Sequence, residues 1–311
     1  MATALVRRLR QHHAAAEIVV LTTPPFVSLF AAMGDIEVVA FPRAGLAETL
    51  RTLRFVRSGG FDRLYDLQGS DRSGLIAALS GISVRVGNHP RFPYHCHPAS
   101  RYRGQTHIFM RMNEVLASAG VPPAEAVPYL PAPDTVRNKV DAWLRTQGLA
   151  GAPLVLLHAF ASPRHPAKRW PHFAALGVEL EHRGLVPVWV GGRADAAAGG
   201  ALAAYAGVSA AGEFDLVDLA ELGRRSEFSL TNDSGPMHAL AASGIPVYAF
   251  FGPTNWRRNH ALGQAAHVIT RQPADVEGKH LDHPAYALER IGVEEVLGRL
   301  EADGRFGAIR G

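Results

Sequence analysis

The segment LTNDSGPMHALAASGIPVYAFFGPTNWRR, Leu230 to Arg258, decides how the rest of the chain is read. An apolar run, FSLTN, stops at Asp233-Ser234-Gly235-Pro236; an Ala-rich helical pattern then passes through Met237, His238 and Ala239 and leads to a second apolar run, PVYAFFG. That is a strand-to-helix junction, the place where ligands collect in open α/β sheets. Pro236 suits an early helical position, where its missing N–H is not needed. Gly235 leaves the backbone open to close approach. The free N–H groups and positive end of the helix favour an anion such as a diphosphate, with His238 one turn in. The plainer alternative is a cap by Asp233 or Ser234, with His238 packed in the core.

The same alternation extends in both directions from this junction. Short β-rich runs occur at 17–22 (EIVVLT), 36–41 (IEVVAF), 61–67 (FDRLYDL) and 83–87 (SVRVG), then at 153–160 (PLVLLHAF), 185–192 (LVPVWVGG), 227–233 and 246–252, with amphipathic helical stretches between them. This is the pattern of an α/β fold with parallel sheets. Between Gly120 and Pro133 five prolines in fourteen residues forbid a helix interior or central strand. That stretch is read as a linker between a domain at 1–133 and a second at 134–311, which opens with a helix from Thr135 to Gln147.

With 311 residues, 47% hydrophobic and 19% charged, the chain can bury two cores. It holds no apolar run of the roughly 18 residues a membrane span needs. The start, MATALVRRLRQHH, lacks the apolar core of a signal peptide, so a cytoplasmic location is expected. A single cysteine, Cys96, excludes an internal disulfide and a thiolate zinc site. His95 and His97 beside it, with His89, lack metal-ligand spacing, so no metal is expected.

Charge is uneven. Residues 1–133 carry 14 Arg and no Lys against 9 acidic residues, a net of +5, whereas the remainder carries 18 basic and 19 acidic residues, a net of −1. The first half suits an anionic partner; arginine enrichment without functional meaning is the alternative. Three further strand ends hold polar clusters. The loop AFASPRHPAKRW brings Ser162, Arg164, His165, Lys168 and Arg169 to the end of LVLLH, and a flexible lysine there suits phosphate. Asp195 follows VPVWVGG, where a carboxylate can accept from a ribose diol. Asp66 and Asp71 follow FDRLYDL. Each is equally readable as a solvated loop, turn or cap residue.

Taken together, RRLRQHHAAAEIVVLTTP, FDRLYDLQGS, VRVGN, HAFASPRHPAKRWPHF, VWVGGRAD and above all TNDSGPMHALAASGIPVYAFFGPTN resemble glycosyltransferase family 9, the bacterial heptosyltransferases of the lipopolysaccharide core. The resemblance covers nearly the whole chain. It implies a GT-B fold of two facing Rossmann-like domains, with donor in the C-terminal and acceptor in the N-terminal one. It also implies metal-independent, inverting transfer of heptose from an ADP-sugar donor. Carried over by motif, Ser162 and Lys168 hold the diphosphate, Asp233 contacts the heptose, and Ser234, Gly235, Pro236 and His238 complete the phosphate site. Asp195 stands where the family usually has Glu on the adenosine ribose. The acceptor would be an anionic glycolipid, not nucleic acid, met by Arg72, Arg85, Arg91, Arg101 and Arg103 at the cytoplasmic face of the inner membrane. A monomer without cofactor is expected.

One departure is larger. The family begins with a strand, then Gly-Asp and the first helix, that Asp being its general base; here Met1 to Leu5 already reads as the interior of the helix. The native start is therefore expected about 15–25 residues earlier, room for one strand and a turn. Within this chain Asp66 or Asp71 is the fallback base. A nucleotide-sugar epimerase and an inactive sugar-nucleotide-binding homologue are the rival readings.

Overall fold

Leu154–His158 is buried along its whole length, as a continuous apolar run should be when both faces of its sheet are covered. It lies at the centre of the larger of two units, Met1–Tyr129 and Leu130–Gly311, in a computed structural model. The residues described are 1–43, 45–100, 102, 106–278, 281 and 283–307. The division falls inside the proline-rich stretch.

Unit 1 contains β1 (Val19–Thr22), β2 (Glu37–Ala40), β3 (Arg63–Asp66) and β4 (Val84–Gly87). β1 pairs with β2 and β3 with β4, both in parallel, and among the described residues no ladder joins the two pairs. The unit opens with the helix Ala2–His12, which buries Ala4, Leu5, Val6 and Leu9. Arg111 is 2% exposed and donates to Asn88 Oδ1 and Ser100 O, each at 2.5 Å, while pairing with Glu114. Asn113 exchanges two hydrogen bonds with the backbone of Ala124, at 3.0 and 2.8 Å, and so anchors the start of the proline-rich stretch.

Unit 2 contains β5 (Leu154–His158), β6 (Val186–Trp189), β7 (Val208–Ser209), β8 (Ser226–Asn232), β9 (Val247–Phe251) and β10 (Val268–Thr270). They form one parallel sheet in the order β10-β9-β8-β5-β6-β7. Because a strand alternates its side chains, each face has its own core. Val155, Leu157, Phe228, Leu230, Tyr248 and Phe250 meet Trp170, Phe173 and the helix Val293–Ala302 on one side. Leu154, Leu156, Val188, Val247, Ala249 and Phe251 meet Val140 and Leu144 of the helix Asp134–Thr146 on the other.

The strand order fixes where a ligand can sit. From β5 the chain moves outward through β6 and β7, then returns to β8 and moves the other way through β9 and β10. β5 and β8 are neighbours at the point where direction reverses, so their connections diverge and leave a crevice beyond their carboxyl ends.

Candidate functional site

At that crevice the end of β8 and the loop after β5 are tied together by one residue. Asn232 is fully buried; its Oδ1 accepts from Trp170 N at 2.9 Å and its Nδ2 donates to Phe160 O at 3.4 Å. Trp170 stacks on Phe250 with ring centroids 4.3 Å apart and donates its Nε1 to Ile291 O at 2.8 Å. The loop carrying Ser162 and Lys168 is thus held at both ends, and the lysine falls where the next residue of β8 can meet it.

Lys168 Nζ donates to Asp233 Oδ2 at 2.6 Å, with the side chains 21% and 9% exposed. Thr254 Oγ1, from the turn after β9, donates to the same oxygen at 2.5 Å. Asp233 is held further by its own N–H on Phe250 O at 3.2 Å. An ammonium group has three donors, and no other described residue accepts from Lys168, so two remain for an anion. Arg164, His165 and Arg169 stand exposed in the same loop, with Arg169 also donating to Ala161 O at 3.0 Å.

Ser234 is the N-cap of the helix Gly235–Ala241, and Pro236 takes an early helical position. The Ser234 hydroxyl makes no cap bond; it lies 3.2 Å from Nδ1 of His158, the last residue of β5. A Cβ at Gly235 would meet no heavy atom within 4 Å, and φ there is not positive. Neither packing nor backbone conformation calls for glycine, which leaves open room over the helix start. Gly235→Ala is therefore expected to keep or slightly raise stability, by up to about 1 kcal/mol, while weakening ADP binding. Calorimetry alongside urea unfolding checks both halves; ADP binding equal to wild type removes the ligand argument. His238 sits half-buried, one turn into this helix.

His158 is 4% exposed, and burial pushes its imidazole down to about 4. A neutral ring beside Ser234 is thereby fixed through the neutral range. The stability consequence has a definite sign: between about 6.5 and 4 the unfolded chain binds the proton and the folded one does not. Stability is full above 6.5 and falls by about 3 kcal/mol as pH drops to 4. Urea unfolding across that window should show a shallower decline in His158→Gln; parallel slopes would reject this account.

Asp195 accepts from Gly192 N at 2.9 Å and holds the tight turn after β6. A Cβ at Gly191 would lie 2.8 Å from Phe160 Cδ2, so that glycine lets the Asp195 turn pack against the loop after β5. Ser162, Lys168, Asp195, Asp233, Ser234, Gly235, Pro236 and His238 consequently lie on the carboxyl edges of three adjacent strands, β6, β5 and β8. Asn232, Thr254 and His158 belong to the same network and were not singled out by their sequence context. A polar residue ending a wholly apolar run, as in LVLLH and FSLTN, was the available signal.

In unit 1 the arrangement is different. Asp66 is 5% exposed, and all of its contacts are structural: Oδ1 accepts from Gln68 N at 3.0 Å and Gly69 N at 2.9 Å, and Oδ2 from the Tyr94 hydroxyl at 2.5 Å. Burial, with the Asp66 carboxylate beside it, pushes the Tyr94 hydroxyl up, so it stays a donor. Asp71 is exposed at the first position of the helix Asp71–Leu79. Arg72 donates to Thr49 Oγ1, Pro42 O and Thr52 Oγ1 at 3.1, 3.0 and 3.2 Å. Arg85 donates to Pro93 O at 2.7 Å and Ile82 O at 2.6 Å, and lies 3.1 Å from His95 Nε2. Arg91 is exposed, and Arg101 and Arg103 lie outside the described residues.

Known proteins share the sequence family and the fold. Residues 49–282 match the sequence model of glycosyltransferase family 9 (heptosyltransferase). The lipopolysaccharide heptosyltransferase 2 of Salmonella typhimurium is 34% identical over 113 residues, 33% of this chain and 32% of that protein. The matched stretch thus spans about a third of that relative's length. Among solved structures, a family 9 glycosyl transferase from Veillonella parvula aligns with a TM-score of 0.81 at 20% identity, covering 98% of this chain and 92% of the other. The ADP-heptose lipopolysaccharide heptosyltransferase II of Escherichia coli aligns at 0.75 with 23% identity, covering 99% and 95%. At such identities the structural likeness shows a shared fold.

Proposed function

The chain belongs to glycosyltransferase family 9, the heptosyltransferase family, and from that premise we propose that it transfers a heptose from ADP-heptose to an anionic lipopolysaccharide-core acceptor, with inversion. One observation carries the donor half of this reading: Lys168 and Asp233, brought together at the sheet's switch point beside the open backbone of Gly235. The diphosphate would take the two free donors of Lys168, with Ser162 and the helix start around it. Asp233, with one oxygen left for a sugar hydroxyl, would orient the heptose. Asp195 would reach the ribose with its second oxygen. The acceptor hydroxyl gives its proton to a carboxylate base, for which Asp71 and Asp66 are the candidates within this chain, and its oxygen forms a bond to the anomeric carbon as the bond from that carbon to the phosphate oxygen breaks. ADP leaves with the electron pair, its growing charge met by Lys168. The arginine excess of unit 1 suits a phosphorylated acceptor. No helix among the described residues is long and apolar enough to cross a membrane, so contact with a lipid-borne acceptor would be peripheral.

Two experiments test the reading. Calorimetry with ADP and ADP-heptose should show binding, and incubation with a heptose-acceptor core should yield a heptosylated product. Conversion of the donor without acceptor would replace transfer by epimerisation. A second reading, donor binding without transfer, is favoured by the occupied oxygens of Asp66. Binding with no product on any core acceptor would establish it.

A further inference from the structure

The helix Leu46–Ser58 places its leucines where packing among the described residues of unit 1 does not explain them. A helix lying on a sheet ordinarily turns its apolar stripe inward. Here Thr52 and Val56 are the buried positions, whereas Leu46 and Leu50 are 83% and 55% exposed. The neighbouring helix Asp71–Leu79 does the same one turn apart, with Leu75 at 51% and Leu79 at 47%. Together with Leu53 these leucines line one apolar groove between the two helices.

The groove is rigid, and its rim is positive along the first helix, with Asp71 one turn before Leu75 on the second. Arg72 locks the helices through Thr49 and Thr52, so the leucines are not loose side chains awaiting collapse. At about 100° per residue, Arg57 falls on the same face as Leu46, Leu50 and Leu53, with Arg54 beside it and Arg51 further round the helix. Arg57 donates to Leu79 O at 3.4 Å, Arg51 pairs with Glu48 at 3.1 Å, and Arg54 has no partner among the described residues. Leucines that need a dry surface and arginines that need anions, on one face, match the boundary between acyl chains and phosphate headgroups. A second copy fits less well, since a two-fold contact would set the arginine rims against each other.

We propose that this face is the membrane contact of unit 1: the leucines of both helices enter the headgroup boundary of an anionic bilayer, while Arg54 and Arg57 meet lipid phosphates. The inference is independent of donor chemistry, so it stands or falls apart from the transferase reading.

The test is flotation of the full chain with phosphatidylcholine vesicles, with and without phosphatidylglycerol. The chain should float with the phosphatidylglycerol vesicles, and less so as salt rises. Arg54→Gln should weaken the partition about fivefold. Leu50→Gln combined with Leu75→Gln should weaken it roughly tenfold or more, with circular dichroism and melting temperature kept. Absence of flotation with phosphatidylglycerol, or variants that float like wild type, overturns the proposal. So does self-association in solution that the leucine variants abolish, because the face then belongs to a second copy.

Discussion

Lys168→Ala is expected to weaken ADP binding about ten- to a hundredfold, from the loss of a charge-assisted phosphate contact of roughly 1.5–3 kcal/mol. It should also lower stability, because the Asp233 side chain, 9% exposed, would be left with only Thr254 as partner. Stranding one member of a buried pair costs about 3–5 kcal/mol; the 21% exposure of Lys168 reduces that, to about 2–3 kcal/mol. The two losses separate in the double variant. Lys168→Ala with Asp233→Asn removes both charges and should recover much of the stability while leaving ADP binding weak. Asp233→Asn alone should impair ADP-heptose more than ADP, since its proposed partner is the sugar. Calorimetry and urea unfolding on the three variants decide the matter. Wild-type ADP affinity in Lys168→Ala would return the lysine to an ordinary loop, and equal losses for ADP and ADP-heptose in Asp233→Asn would refute the sugar role.

What was legible in the sequence was whatever a local signal controls. The apolar runs LVLLH and VYAFF became the interior strands β5 and β9, buried on both faces, and the run 61–67 became β3 at Arg63–Asp66. Pro236 after Gly235 marked the helix start because proline's backbone restricts where it can sit. Pairings across the sheet were not legible. Lys168 and Asp233 are 65 residues apart and meet only because β5 and β8 are neighbours. Asn232 stood only as the last residue of the run FSLTN, yet it fastens the loop after β5 from a fully buried position.

The arginines of unit 1 show the same limit from the other side. Net charge counts residues without saying where their hydrogen bonds go. Arg72, Arg85 and Arg111 spend theirs on backbone carbonyls and side chains of unit 1 itself, so much of the first half's excess positive charge is structural. Arg7, Arg43, Arg51, Arg54, Arg57, Arg63 and Arg91 are exposed, and the anion-binding capacity of unit 1 is better sought among these.

Asp66→Ala is expected to destabilise unit 1 by about 3–5 kcal/mol, because it removes one buried acceptor and strands three donors at once, each worth roughly 1–3 kcal/mol and not fully additive. Those donors are the N–H groups of Gln68 and Gly69 and the hydroxyl of Tyr94. Asp66→Asn should behave differently. Its Oδ1 can still accept from both N–H groups, and its Nδ2 can donate to the Tyr94 oxygen, so most of the stability should survive. The asparagine cannot accept a proton as a base. The pair of variants therefore separates structure from chemistry. If Asp66 only holds its turn, Asp66→Asn keeps both stability and sugar transfer. If Asp66 is the base, the same variant stays folded and loses transfer by about 10²–10⁴-fold. Asp71→Ala completes the comparison. Asp71 is exposed at a helix start, where its removal costs about 0.3–1 kcal/mol. Asp71 makes none of the contacts that occupy Asp66, so of the two candidates it is the one left accessible to an acceptor hydroxyl. Urea unfolding and a transfer assay on the three variants give the answer: Asp66→Asn active and Asp71→Ala folded but inactive is the expected pattern, and the reverse assignment would show that an acid engaged by Tyr94 can still take the acceptor's proton.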